Sequence, residues 1–198
     1  MIERITIQDI EKVLAALKDG DVIVFPTETS YGIGCDATNE ESVERLVEMK
    51  GRDRGKGLPL LIPSLESAGD YVALSVKARE LVAKHWPGAL NVIAPVAPGS
   101  PVAPSCAVGR TQSVRLSGHP FARELAERFG KPIVATSANI SGAQPIYDPG
   151  DFDTMFDGAQ GLPDLLVDGG ALTNTAPSTT IKVIGDEVEV VRQGEIEI

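Results

Sequence analysis

The segment Asp21-Val-Ile-Val-Phe25 constrains the fold more than any other part of this chain. It is a short apolar run that starts where a helical pattern has just been stopped. Ile7, Ile10, Val13, Leu14 and Leu17 recur at the period of an amphipathic helix, and Thr6 with Asp9 has the spacing of a capping box. Gly20 follows as the stop. Residues 21–25 are too few for a helix and read as a buried strand.

The same alternation continues along the chain. Thr38 or Asn39 can cap a helix whose apolar face is Val43, Leu46, Val47 and Met49, and Gly51 stops it. Strands are expected over 58–62, 90–95, 113–116, 133–136, 165–167, 178–184 and 188–191. Helices are expected over 76–84 and 121–129, with a short one over 151–157. The stretch 26–39 reads as a polar, glycine-containing loop. The stretch 95–110, rich in Pro, Gly, Ser and Ala, reads as an excursion or mobile loop rather than a domain boundary. Intermingled helices and strands without internal repeats imply one α/β domain over 1–198, built on a twisted, mixed β-sheet flanked by helices. Ligands of such folds bind at the loops that end the strands.

Composition removes several classes of function. The chain has 198 residues, 42% hydrophobic and 23% charged, which suits a globule with a real core. No apolar run approaches the roughly 20 residues that span a bilayer. The N-terminal stretch mixes charges into its apolar residues and is not a secretory signal. Cys35 and Cys106 are isolated thiols without metal spacing, as expected of a cytoplasmic protein. Eighteen basic against 28 acidic residues give a formal net charge of -10, which argues against broad contact with nucleic-acid phosphates. It leaves room for a local anion site.

The basic residues are concentrated in one place. Lys50-Gly-Arg52-Asp-Arg54-Gly-Lys56 carries four cations on seven residues. Cations at a helix C-terminus are favoured by the macrodipole. This run also continues past the helix stop into a glycine-bracketed loop, where Lys and Arg could reach several phosphate oxygens. It has no Walker or dinucleotide-binding pattern. Four further stretches carry polar groups at strand ends: PTETSYGIG from Pro26, ATSANISG from Ala135, PSTTIK from Pro177 and VRQG from Val191. Each is open to a second reading as a turn with locally satisfied hydroxyls or a solvated face. His85 and His119 show no metal spacing, and His119-Pro120 reads as a helix start. No nucleophile–base pattern stands out, so chemistry here would work by positioning and charge stabilisation.

Taken in order, PTETSYGIGCD, KGRDRGKGL, HWPGALNV, SVRLSGHP, ATSANISG, PSTTI and VRQG resemble the YrdC family of threonylcarbamoyl-AMP synthases over about 13–194, closest to its short single-domain form. The resemblance implies a YrdC-like fold with a concave, positively charged cavity. It implies a nucleotidyltransferase that makes L-threonylcarbamoyladenylate and pyrophosphate from L-threonine, bicarbonate and ATP, with Mg2+ on the nucleotide. Transfer proteins would then carry the group to tRNA for t6A modification, and tRNA itself is a candidate partner. By motif, Lys50, Arg52, Ser137 and Asn139 would carry the chemistry. Arg52, Lys56, Thr111, Ser137, Asn139 and Arg192 would bind ATP. Thr29, Tyr31, Arg115, Ala135 and Ser178 would bind L-threonine. Leu61 and Pro145 depart from the longer members, which often carry His and Ser there, and Arg54 reads as a solvated loop charge. The alternatives are an RNA-binding module, weakened by 5% aromatic content, and the carbamoyl-adenylate-forming domain of hydrogenase maturation, which normally sits in a much larger chain.

Overall fold

Two left-handed glycines steer the first third of the chain. The computed structural model describes residues 2–198. Strand β1 (Glu3–Thr6) leads to helix α1 (Ile10–Asp19), which buries Val13, Leu14 and Leu17 and ends at Gly20 with φ 87°. Thr6 and Asp9 do interact, the Thr6 amide donating to Asp9 Oδ2 at 3.2 Å. They close a turn before the helix, so Ile7 lies outside α1 and is exposed. Strands β2 (Ile23–Pro26) and β3 (Tyr31–Gly34) follow. Helix α2 (Glu40–Lys50) is capped by the Asn39 side chain and ends at Gly51 with φ 56°. Gly51 N–H donates to Glu48 O and Arg52 N–H to Val47 O, each at 3.0 Å. This double bond pattern at a left-handed glycine fixes the exit direction of the chain. Lys50 turns into the core and Arg52 away from it.

The remaining elements are β4 (Pro59–Leu61), α3 (Ala68–Tyr71), α4 (Val76–His85), β5 (Leu90–Pro95), β6 (Thr111–Arg115), α5 (Pro120–Phe129), β7 (Ile133–Val134), β8 (Thr136–Ser137), α6 (Phe152–Met155), β9 (Leu165–Asp168), β10 (Thr179–Ile184) and β11 (Glu187–Arg192). The α/β class expected from the sequence holds, but there are two mixed sheets where one was expected. One has the order β1-β9-β2-β3-β8, the other β11-β10-β5-β6-β4-β7. The chain passes from one to the other at Ala135, between β7 and β8. That crossing splits what the sequence presents as a single strand over 133–136.

β3 corrects the reading of 26–39 as a loop. Its four residues are all buried, and Gly34 is there for space rather than for a turn. A Cβ on Gly34 would stand 1.8 Å from the Val134 carbonyl oxygen, because β3 and β7 come together across the seam of the sheets. β1 has no sequence signal for a different reason: only Ile5 of its four residues is buried, so no pattern announces it. It is held by parallel pairing with β9.

β2 serves two cores, as its strand period requires. Ile23 and Phe25 pack with Val13 and Leu17 of α1 and Phe121 and Leu125 of α5, whereas Val22 and Val24 face a second cluster with Leu46 of α2 and Val92 and Val114 of the other sheet. Cys35 and Cys106 are free thiols buried in that second cluster. The 95–110 excursion is packed onto it: Ala103 N–H donates to Ala37 O at 2.8 Å and Leu58 N–H to Cys106 O at 2.9 Å.

Register across the six-stranded sheet lines up one row that matters later. Leu61 pairs with Arg115, and Val92 pairs with Val114, so Asn91 stands beside Arg115. Asn91 in turn pairs with Thr180, and Thr180 with Arg192. A bulge between Thr180 and Ile181 accommodates the extra residue that places Arg192 there.

Gly34→Ala should therefore lower stability by about 3 kcal/mol and Tm by roughly 10 °C, since the obstructing atom is backbone. Gly69→Ala is the control and should be near neutral, because an added Cβ there would meet no atom within 4 Å. Thermal denaturation of the two variants measures the difference.

Candidate active site

A cavity of about 220 Å³ opens at the seam of the two sheets. The six-stranded sheet supplies its floor, the row Leu61, Arg115 and Asn91 with Arg192 at the far end. The five-stranded sheet supplies the facing wall: Thr27, Thr29, Ser30 and Gly32 on one side of β3, and Thr136 and Ser137 of β8. Ala135, at the crossing point, closes the junction through its N–H to Pro59 O at 2.9 Å. The charged lining residues are Arg52, Arg115 and Arg192, with no carboxylate among the described residues of the lining. Arg115 is paired with Glu28 behind the lining, so Arg52 and Arg192 supply the uncompensated positive charge there, in a protein of net charge -10.

Arg52 and Arg192 are held by backbone oxygens that do not neutralise them. Arg52 Nη2 donates to Gly57 O at 2.9 Å and its Nε to Lys56 O at 3.3 Å. Arg192 Nη2 and Nε donate to Ser178 O at 2.8 and 3.1 Å. Burial lowers the pKa of Arg52, with Asp53 opposing, and burial together with Arg115 lowers that of Arg192. Both remain cations at any physiological pH.

Arg115 is more deeply set, at 7% exposure. Its Nε donates to Gly88 O at 3.2 Å, its Nη1 to Ser178 Oγ, and its Nη2 lies 2.6 Å from Glu28 Oε1 as an ion pair whose angle is off the ideal N–H direction. Glu28 also accepts from Ser117 Oγ at 2.6 Å and from the Gly118 amide at 2.7 Å. Burial by itself would raise the Glu28 pKa, but Arg115, Ser117 and Gly118 outweigh it and hold the carboxyl at about 2. Glu28 is thus the buttress that fixes Arg115 in the floor. Nothing in its local sequence assigns it that role.

Lys50 does not line the cavity. It is 1% exposed, and its ammonium sits behind the wall, donating to Ser137 O, to Asn139 O at 2.6 Å and to Asn139 Oδ1 at 3.2 Å. Burial, with Arg52 nearby, pulls its pKa down to about 7. Asn139 is engaged in the same way: Oδ1 accepts from Ser137 Oγ at 2.6 Å, and Nδ2 donates to Ala143 O at 2.5 Å. So of the four residues expected to carry chemistry, Arg52 and Ser137 face the cavity. Lys50 and Asn139 shape the Ser137 loop from behind.

Thr29, Arg115, Ala135 and Ser178, expected around an amino acid, do come together in the lining. Tyr31 does not: it is fully buried, donates to Gly170 O at 2.7 Å and accepts from the Gly169 amide at 3.0 Å, anchoring that loop behind the wall. Lys56 is exposed, and Thr111 closes a turn onto Val108 O at 3.1 Å; neither lines the cavity. Their loops abut, however, where Gly57 meets Cys106 and Val108. Arg54 is a solvated surface charge as expected, its side chain 60% exposed; it pairs with Glu44 of α2 and lies 3.9 Å from Glu48, away from the cavity. Asn91 is a lining residue that motif order leaves without a role, although it stands inside the stretch HWPGALNV.

Such a site, three fixed guanidinium groups beside neutral hydroxyls and backbone, defines an anion-binding α/β protein. The family model named Sua5/YciO/YrdC, described as telomere recombination, matches residues 15–194, and the chain belongs to this family. It is 39% identical over 141 residues to the threonylcarbamoyl-AMP synthase of Enterobacter sp., covering 69% of this chain and 73% of that protein. To the same enzyme of Thiobacillus denitrificans it is 37% identical over 169 residues, covering 84% and 87%. Among solved structures, P. abyssi Sua5 complexed with L-threonine superposes with a TM-score of 0.87 at 29% identity, covering 98% of this chain and 57% of that one. E. coli YciO gives 0.81 at 25%, covering 98% and 95%.

The Glu28 geometry predicts an acid limb in stability. A carboxyl lowered from 4.5 to about 2 contributes stability that is complete above about pH 4.5 and lost as pH falls towards 2. Its size is about 3 kcal/mol. Glu28→Gln should flatten that part of the profile, read by urea denaturation at a series of pH values. Parallel profiles for the two proteins would rule the buttress out.

Proposed function

We propose that this protein is a threonylcarbamoyl-AMP synthase, making L-threonylcarbamoyladenylate and pyrophosphate from L-threonine, bicarbonate and ATP. The observation that carries the reading is the convergence of Arg52, Arg115 and Arg192 on one cavity without a carboxylate among its described lining residues, in a chain of the Sua5/YciO/YrdC family. The chemistry asks for this. The threonine amine adds to CO2 derived from bicarbonate, losing a proton to give a carbamate. A carbamate oxygen then attacks the α-phosphorus of ATP, and the bond to the β-phosphate oxygen breaks, releasing pyrophosphate. Water is the other product, from dehydration of bicarbonate. Every reacting partner is an anion at that stage, so their repulsion is the main obstacle, and fixed cations offset it without reorganising. No protein nucleophile is needed.

Arg115, with Thr29, Ser178 and the Ala135 backbone, suits the amino acid; Arg52, Ser137 and Arg192 suit the nucleotide. The enclosed space is smaller than the roughly 300–1,000 Å³ of ordinary ligand pockets. In this reading ATP extends beyond it, and Lys56 and Thr111, whose loops abut, are proposed for the outer end of the nucleotide. Mg2+ enters on the triphosphate as part of the substrate. The product is a mixed anhydride that a tRNA-modifying transferase would consume, in the cytoplasm.

The test is pyrophosphate release by the purified protein with ATP, Mg2+, bicarbonate and L-threonine. Release that depends on threonine supports the proposal, and its absence overturns it. Arg52→Ala should lower kcat/KM for ATP by about a hundredfold or more. Arg54→Ala, whose charge is tied to Glu44, should change it less than about threefold. Equal losses would contradict the assigned geometry.

A further inference from the structure

Arg192 is the last residue of β11, an edge strand on which Val190 and Val191 are exposed. The bulge between Thr180 and Ile181 breaks its ladder to β10 at the Arg192 end. Pairing alone is thus a weak hold on Arg192. The residues after it are held much more firmly. Thr179, fully buried, donates its hydroxyl to Ile196 O at 2.6 Å and accepts from the Gly194 and Ile196 amides, each at 3.0 Å. One donor and two lone pairs are then in use, the full capacity of a hydroxyl. Glu195 N–H donates to Pro177 O at 2.9 Å, and Gly194 lies so close that an added Cβ would stand 2.0 Å from that same oxygen. Residues 194–196 are therefore strapped back across Pro177, Ser178 and Thr179, with Ile196 packed against the core.

Ser178, between the two anchor points, carries the cavity end of this arrangement. Its carbonyl accepts both bonds from Arg192, and its Oγ accepts from Arg115. The Thr179 N–H donates to Ala89 O at 3.0 Å, so the backbone here is also tied into the six-stranded sheet without help from the strap. We propose that Thr179 is a positioning residue for the nucleotide. Its hydroxyl clasps 194–196 onto the start of β10 and thereby keeps the Arg192 guanidinium over Ser178 O at the cavity. It acts through Arg192 and touches no reacting atom. This goes beyond the synthase reading and rests on it for the assignment of Arg192 to the nucleotide. Opening the clasp frees Arg192, whereas Arg115 keeps its bonds to Gly88 and Glu28. The two substrates should therefore respond differently.

Calorimetry with Mg-ATP and with L-threonine, together with amide hydrogen exchange followed by NMR, tests this on Thr179→Val, Gly194→Ala and Thr179→Ser. Valine is close to threonine in shape but leaves two amides and a carbonyl facing a methyl group. In Thr179→Val, exchange at Gly194 and Ile196 should quicken by at least about tenfold. The Kd for ATP should rise about tenfold or more, while that for L-threonine stays within about threefold. Gly194→Ala lifts the strap from its other side and should give the same selective loss, so the outcome does not depend on one variant folding. Thr179→Ser keeps the hydroxyl and should stay within about threefold of wild type for both ligands. Equal weakening of the two ligands, or faster exchange with unchanged ATP binding, overturns the role of Thr179 and leaves the synthase reading intact. A wild type that binds both ligands without releasing pyrophosphate overturns the synthase reading, while exchange and ATP affinity still judge the clasp.

Discussion

The ammonium of Lys50 is the fastening on which the cavity depends. It joins the end of α2 to the loop after β8, two parts of the chain separated by 87 residues at the nearest bond. A lysine buried to 1% exposure is expensive to desolvate, and its lowered pKa of about 7 records that cost. Three oxygens around its three donors offset it. The geometry follows from the helix stop. With Gly51 left-handed, the residue before it points inward and the residue after it points to the cavity. One turn of chain thus makes a structural cation of Lys50 and a ligand-facing cation of Arg52.

The same division of labour recurs around Arg115. Glu28 sits beside one Nη while Ser178 Oγ and Gly88 O accept from the other Nη and from Nε, so the position of Arg115 in the cavity floor is fixed on every side. Fixed arginines of this kind are worth more than mobile surface ones, since their orientation is settled before any ligand arrives. In a chain of net charge -10, the attraction for anions at the cavity comes from these lining arginines.

The helices are legible in the sequence because they are amphipathic and end in glycine: α1, α2 and α5 all close on a left-handed Gly. β2, β5, β6 and β10 are legible as short segments, too brief for helices, set between turn or polar residues. β1 and β3 are not, the first for having one buried side chain and the second for having two glycines among its four residues, of which Gly34 is needed for close approach. The stretches that line the site are legible as ordered motifs, but motif order carries no direction for a side chain. Tyr31, Lys50 and Asn139 stand in the right stretches and face away from the cavity. Their directions are set by distant partners, Gly170 for Tyr31 and Asn139 for Lys50. Asn91 and Glu28 needed the register of the six-stranded sheet and the seam before either could be placed at the site.

The cavity floor is a single cross-strand row, and the residues next to it along each strand belong to the core. Val92 and Val114 face the hydrophobic cluster while Asn91 and Arg115 line the cavity. Recognition and stability are therefore written on opposite sides of the same strands. Leu61 is the exception, because it also packs in the cluster of α1 and α5, so the row can be exchanged at Asn91 with less disturbance to the packing beneath than at Leu61. The row behaves as a replaceable reading head mounted on a core that has no need to change.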